Sequence, residues 1–452
     1  MSENKNRLYA GFSRVNITPA MGTPLGGYYK VRLADGVTDE LEANALALSH
    51  GETRVLLISV DHLGLKQVYQ DPIRRFIAER TGVPEDSIFI ACTHTHTAPK
   101  LEGEIVPNAQ ETYFQFLKSR LADAAAFALA DLKPARMGWA VGQAPGIAFI
   151  RRFLMKDGAV CTNPRPENPD IVGPVGQVDE SVSLLRFVRE EGPEILLVHF
   201  GCHPDTVGGN RVSADWPGFT RRILERSLDN VRCVFFNGVQ GDINHLNPFH
   251  GPGYLNGLTM DFDDVLRGYE HTEHMGRTVA GAVMQVYAKV NYVEVDSIRA
   301  MQRVIRHPSN RPLPEELPQA RLYNQLHQEH RDSEIPYEGM MLTTVVAEAE
   351  RMLELEHGPD DFALRVSAVS VGDIALVGIP GEPFSDIGRD LKEAPGWPLV
   401  LPCCCTNGYE GYFPPMNAYE NGSYETRSSI FRSGVAEAIS GAGLELLETM
   451  KQ

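Results

Sequence analysis

Apolar positions along this chain fall into two spacings, and their alternation predicts where strands and helices lie. Short runs rich in β-branched and aromatic residues, bounded by Gly, Pro, Asn or Asp, read as strands. They cover Tyr9–Thr18, Ala43–Leu48, Val55–Val60, the run opening at Ile88, Arg136–Ala140, Ser181–Val188, Ile195–Phe200, Val231–Phe236, Leu364–Val371, Ile374–Ile379 and Leu399–Cys405, the last strand expected. Helical spacing appears over Gln70–Thr81, Ala109–Leu132, Trp216–Ser227, Tyr269–Val290, parts of Pro312–Glu354 and about Ile430–Lys451. The segment through Ile150–Phe153 reads as irregular, and the Pro-, Asn- and Gly-rich stretch Asn163–Gly176 as loop. Strands interleaved with helices predict an α/β fold: mixed β-sheets flanked by helices, with a site at the C-terminal ends of strands. No internal repeat or break in composition divides the chain. It reads as one domain over 1–452, with a charged helical insertion at about 305–355 serving as a cover or an oligomer contact.

Charge and composition narrow the function classes. Hydrophobic residues make up 43% and charged residues 22% of the 452, as in ordinary globular proteins. A net charge of −17 argues against nucleic acid and anionic membrane surfaces as partners. No run reaches the roughly 18–20 apolar residues needed to cross a bilayer. No apolar segment follows Met1–Arg7, so no secretory leader is expected. With seven cysteines, an odd number, the reading is a cytoplasmic protein with reduced thiols that acts on a small molecule. The triplet Cys403–Cys405 is expected to be buried core, because successive strand residues point to opposite faces.

The polar residues that punctuate the strand ends carry the chemistry. His94 and His96 follow the Ile88 strand at a spacing that puts both on one side of extended chain. His203 follows Ile195–Phe200, a polar loop at 237–244 follows Val231–Phe236, Glu382 follows Ile374–Ile379, and Tyr412 follows the Leu399 strand. Two histidines and a carboxylate are the donors of a catalytic zinc site, which keeps one position open for water. Asp61 and Asp215 read instead as helix caps. His271 and His274 read as part of a solvated helix face, since their spacing lacks the H-E-x-x-H pattern.

The ordered set Asn16-Ile17-Thr18-Pro19, Gly26-Gly27-Tyr28, Thr93-His94-Thr95-His96, His203-Pro204, Gly241-Asp242, Pro380-Gly381-Glu382 and Tyr412, Tyr419, Tyr424 resembles the neutral/alkaline (non-lysosomal) ceramidase family. The match runs over nearly the whole chain and corresponds to the family's catalytic domain, without its C-terminal immunoglobulin-like domain. The resemblance implies one zinc ion per chain, held by His94, His203, Glu382 and Tyr412. Spacing alone leaves Tyr409 and Tyr412 equivalent; the family's tyrosine spacing selects Tyr412. It further implies that His96 acts on the substrate beside the metal, and that Arg151 and Tyr424 contact the reacting amide. In the family a serine proposed as nucleophile follows the Gly-Asp pair by two positions; here that position is Asn244, which can hydrogen-bond but cannot accept an acyl group. The expectation is therefore a zinc-dependent hydrolase that cleaves a linear amide (N-acyl) bond of a soluble molecule with zinc-activated water. The alternatives are an esterase or lactonase acting on a polar or sugar-derived metabolite, a true ceramidase, and a non-catalytic, metal-stabilised binding protein.

Overall fold

The computed structural model describes residues 7–103, 105–250 and 255–451; the six residues that open the chain, on which part of the leader reading rests, lie outside them. Nine strands form one large sheet: β1 (Leu8–Asn16), β2 (Glu42–His50), β3 (Thr53–Val60), β4 (Ile88–Cys92), β5 (Lys133–Gln143), β6 (Ser181–Arg189), β7 (Glu194–Phe200), β8 (Val231–Asn237) and β9 (Asn291–Val293). Their spatial order is β8-β7-β6-β5-β1-β2-β3-β4, with β9 also on β5. A second sheet joins β10 (Ile298–Pro308), β11 (Asp361–Val371), β12 (Ile374–Gly378) and β13 (Leu399–Cys403) in chain order. The helices are α1 (Gln67–Thr81), α2 (Ala109–Ala130), α3 (Asp215–Ser227), α4 (Tyr269–Val286), α5 (Leu317–Gln328), α6 (Gly339–Leu355), α7 (Ser385–Lys392), α8 (Met416–Asn421), α9 (Tyr424–Ser428) and α10 (Val435–Thr449). None is long and apolar enough to cross a membrane.

One topology occurs three times. Three strands run antiparallel in sequence, a helix crosses over, and a fourth strand returns parallel to the third. The first unit is β1-β2-β3-α1-β4. The second is β5-β6-β7-α3-β8. The third is β10-β11-β12-α7-β13. Parallel pairing requires a crossover of this length, and a helix supplies it. The first two units join edge to edge, antiparallel, through β1 and β5. The third packs face to face on them, with Leu57 and Phe236 meeting Leu376 and Leu401 in a shared apolar layer. Helices cover the outer faces, as Ile73 and Leu117, Trp216 and Val279, and Leu391 and Ile439 show. The result is four layers, helix–sheet–sheet–helix, and the α/β class read from the pattern holds.

Several local expectations are corrected. The segment expected to be irregular forms strands Phe149–Ile150 and Arg152–Met155; the latter pairs with Val160–Thr162 and with Ile171–Pro174 inside the expected loop. The strand expected to reach Cys405 stops at Cys403, because Cys405 and Asn407 adopt left-handed backbone, φ 47° and 53°. Nor is it the last strand, since Tyr412–Phe413 pairs in parallel with Glu382–Pro383. Asp61 caps no helix. It is buried against Arg221, whose two terminal nitrogens lie 2.9 and 2.6 Å from its oxygens. Asp215 is itself the first helical residue: one carboxylate oxygen accepts the first-turn Trp216 N–H, and the other turns back to the N–H groups of Thr206 and Val207. His271 is buried, its ring edge-on to His245, and only His274 meets solvent as expected. α10 begins at Val435, five residues later than expected, after Gly434 in left-handed backbone.

Candidate functional site

All three units send their parallel strand pair toward one point, and hydrogen bonds lock the strand exits together there. The Asn237 amide, at the end of β8, donates to Thr93 O and Cys202 O and accepts from the Cys202 N–H. The Asn237 carbonyl accepts from the Cys404 N–H. Beyond β4 the backbone at His94 turns to φ 74°, a strained value for a residue with a side chain. Asn407 closes the arrangement: its side chain accepts from Ile90 N–H and donates to Ile88 O.

His94, His203 and Glu382, one from each unit, meet at this point, each at most 2% exposed. His94 Nδ1 donates to Leu63 O at 2.7 Å. His203 Nδ1 donates to Gln240 O at 2.7 Å, with Ile243 O at 3.0 Å. Those bonds place the ring protons on Nδ1 and leave both Nε2 lone pairs facing inward, as backbone carbonyls do for metal-bound imidazoles. Glu382 Oε2 lies 3.0 Å from His203 Nε2 and 3.4 Å from His94 Nε2. Neither Glu382 Oε2 nor His203 Nε2 has a hydrogen-bond partner. Buried acceptors that face each other this closely repel; one proton relieves one pair, whereas a cation satisfies all of them at once.

His96 joins the group. Its Nε2 is 3.3 Å from His94 Nε2, and the ligand atoms of His94, His96 and His203 all lie within 4.8 Å of one another. Behind it, Nδ1 faces Asp205 Oδ1 at 3.5 Å. Asp205 is in turn held by Arg267 and by the Tyr28 hydroxyl, at 2.6 Å each. Gly27, at φ 99°, lets its loop lie against the ring: a Cβ there would come within 2.9 Å of His96 Cβ. The buried histidine group with Glu382 could hold a metal ion, and its N and O donors suit zinc.

The remaining residues read from the sequence lie around this centre at different depths. Tyr412 stacks beside His203, ring centroids 6.5 Å apart, with the Arg151 guanidinium 5.3 Å from its ring centroid. Arg151 is buried, with Nε 2.7 Å from Glu425 Oε1 and Nη2 donating to Gly241 O. Tyr424 packs edge-on to Tyr412 and hydrogen-bonds Tyr29. Asn244 is engaged elsewhere: its amide donates to Asn163 Oδ1 and accepts from the Leu246 N–H. Spacing did not single out Tyr409, whose hydroxyl donates to Glu382 Oε1 at 3.0 Å while its ring leans on His94. Nor did it single out Asp205, although that residue stands two positions after His203. The centre opens into a cavity of about 700 Å³ lined by His94, His96, Glu382 and Tyr409, Tyr412 and Tyr424, and walled on its far side by α5 and α6.

No model of a protein family and no curated protein sequence matches the chain. Two solved structures are similar in fold. Neutral ceramidase from Pseudomonas aeruginosa aligns over 99% of this chain and 75% of its own, with a TM-score of 0.71 and 17% identity. A ceramidase complexed with C2 aligns over 98% of this chain and 75% of its own, with a TM-score of 0.73 and 17% identity. The chain thus has a ceramidase-like fold.

Proposed function

We propose that this protein is a zinc-dependent hydrolase that cleaves a linear amide (N-acyl) bond of a small soluble molecule. The observation that carries the reading is the convergence of His94 Nε2, His203 Nε2 and Glu382 Oε2 at the floor of the cavity, the last two without a hydrogen-bond partner. These three, with Tyr412 beside them, would hold the ion. Bound there, zinc supplies carbonyl polarisation and an activated water. The chain supplies the rest. His96, at the cavity side of the group, passes a proton between the attacking water and the departing nitrogen. Tyr424 donates its hydroxyl to the carbonyl oxygen as charge develops on it, and Arg151 supports that oxyanion through Tyr412. Asn244, tied to Asn163, shapes the loop behind the site and forms no acyl-enzyme.

The cavity walls favour a polar substrate over ceramide. Among the described residues, four aliphatic side chains, Val31, Leu63, Ile105 and Val346, line the space, beside tyrosines, amides, histidines and charged groups. Its seven cysteines are all unpaired, as in a reducing compartment, and we place the protein in the cytoplasm. An ester or lactone would use the same groups, so substrate trials decide between these bonds.

Metal analysis of the purified protein should give one zinc per chain, and His94→Ala and Glu382→Ala should each lose it. The zinc-loaded protein should then cleave members of a panel of soluble N-acyl compounds. Cleavage confined to lactones or esters would move the assignment to an esterase, and cleavage of a short-chain fluorescent ceramide alone would make it a ceramidase. Failure to bind zinc, with no hydrolysis after zinc is added, would sink the proposal.

A further inference from the structure

A histidine fastens the helical cover to the rim of the cavity. His327, in the last turn of α5, is half-buried. Its Nδ1 lies 2.8 Å from Asp332 Oδ1, in the turn between α5 and α6. Its Nε2 lies 3.0 Å from the backbone carbonyl of Tyr29. A carbonyl oxygen only accepts, and so does an ionised carboxylate. Neutral imidazole has a single N–H, so it satisfies one of these partners and sets a lone pair against the other. Both bonds form together when the pair holds one further proton, which the imidazole takes as the stronger base. The ring that clasps both partners is therefore imidazolium.

Tyr29 lies at the tip of a hairpin that joins Pro24–Leu25 to Arg32–Leu33. The base of the hairpin is pinned to the site, with Arg32 donating to Gly26 O and His96 O and Tyr28 donating to Asp205. The tip is held through Tyr29, whose hydroxyl reaches Tyr424, whose ring packs on Leu326, Ile335 and Val346, and whose carbonyl accepts from His327. Among the described residues, this last is the only hydrogen bond between the hairpin and the segment carrying α5 and α6. α6 is anchored elsewhere, by Arg351 Nε donating to Arg427 O and by the Arg427–Glu348 pair. Tyr29, Val31, His327 and Asp332 all line the cavity, so the clasp spans its rim. The other charged groups nearby leave the ring alone. In the turn, Arg331 is tied to Glu329 and Glu334, and His330 is exposed. On α5, Tyr323 accepts from Gln319; α6 brings Glu350 beside the buried, neutral Tyr29 phenol. Lys30, next to Tyr29, turns its ammonium over the Phe262 ring.

We propose that His327 is a proton-operated clasp on the cavity rim. As imidazolium it ties the end of α5 and its turn to the Tyr29 tip and keeps the entrance narrow; loss of the proton frees the tip and widens the entrance. The clasped state holds one proton more than the released state. Closure is therefore favoured as pH falls, and is lost as pH rises through the range in which imidazoles titrate. The clasp goes beyond the hydrolase reading and does not depend on it: His327 touches none of the proposed metal ligands, and closure is read without a substrate.

The test uses the full chain with spin labels at two exposed positions, Val31→Cys on the tip and Leu322→Cys on α5. Cys161→Ser removes the one native thiol that is not buried. Pulsed electron resonance then measures the distance between the labels at about pH 5.5 and about pH 8.5, on either side of the imidazole range. The distance should be short and narrowly distributed at the lower pH, and longer and broader at the higher. His327→Gln offers an amide N–H to Tyr29 O at every pH, so its distance should not respond to pH. Asp332→Asn is the sharper variant. Its amide N–H can donate to Nδ1 of a neutral ring while Nε2–H still donates to Tyr29 O, so the rim should stay closed at the higher pH as well. In spectra of carbon-13-labelled histidine, the signal that His327→Gln removes should be imidazolium at the lower pH and neutral at the higher. Each of four results would overturn the clasp: a neutral ring at the lower pH, a label distance indifferent to pH in the parent, a pH response that survives His327→Gln, or a rim that opens in Asp332→Asn as it does in the parent.

Discussion

At the scale of single residues, the centre is defined by which atoms are already spent. Glu382 has one oxygen tied to the Tyr409 hydroxyl and the other facing His94 and His203. Tyr409 therefore sets the rotation of that carboxylate, and the Tyr409 ring is itself wedged against Gly64, where a Cβ would fall 2.1 Å from its Cγ. Removing only the hydroxyl, in Tyr409→Phe, should weaken zinc binding by roughly 10–100-fold, the usual effect of losing an outer-shell partner. Competition with a chelating dye measures this, and affinity within twofold of wild type would show that Glu382 needs no such support. His94, His203 and Glu382 were legible because each follows an apolar run that could only be a strand. Tyr409 and Asp205 were not, because their roles depend on how a loop turns: Tyr409 lies between the left-handed Asn407 and Gly411, a path that no apolar period encodes.

At the scale of elements, polar groups buried between the units hold their strand exits in register. Asp61, at the end of β3, accepts both terminal nitrogens of Arg221 from α3, the Glu42 N–H and the Thr93 hydroxyl. Burial pushes its carboxyl up, and Arg221 opposes that shift. Arg221→Met should cost about 3–5 kcal/mol, because it leaves Asp61 buried without its counter-charge. Adding Asp61→Asn should restore most of that loss, since the amide oxygen can still accept from Glu42. Chemical denaturation of the two variants checks both statements, and equal stability of the single and double variants would contradict them. The sequence led to a cap at Asp61 because an acid before a helix usually serves that end. What overrode the local rule is a cation 160 residues away in the chain. Most of the sheet strands were read for the opposite reason: their apolar periods are local, and burial on both faces keeps them continuous; β9 and β10 were missed, β10 because it is an Arg-rich, half-exposed edge strand with no apolar run.

At the scale of the whole molecule, the threefold use of one unit was invisible in the sequence. A strand's pattern of apolar residues is shared by any strand, so it records neither order nor direction of pairing; those are set by edges and faces that meet only after folding. The structure shows that His94, His203 and Glu382 come one from each unit, so an ion held there would tie together three bodies otherwise joined by an edge, a face and buried polar contacts such as those of Asn237, Asn407 and the Asp61–Arg221 pair. Withdrawing the ion should leave each unit's own sheet intact and loosen the seams between units. Hydrogen exchange should then accelerate first at Thr93–His96, Cys202–His203 and Gly381–Glu382, before the strand centres of β3, β7 and β12; uniform acceleration across all three units would contradict this. The centre is in effect a keystone: the groups that would perform the proposed reaction are also those that would close the arch, so a chelator should blunt the cooperativity of unfolding.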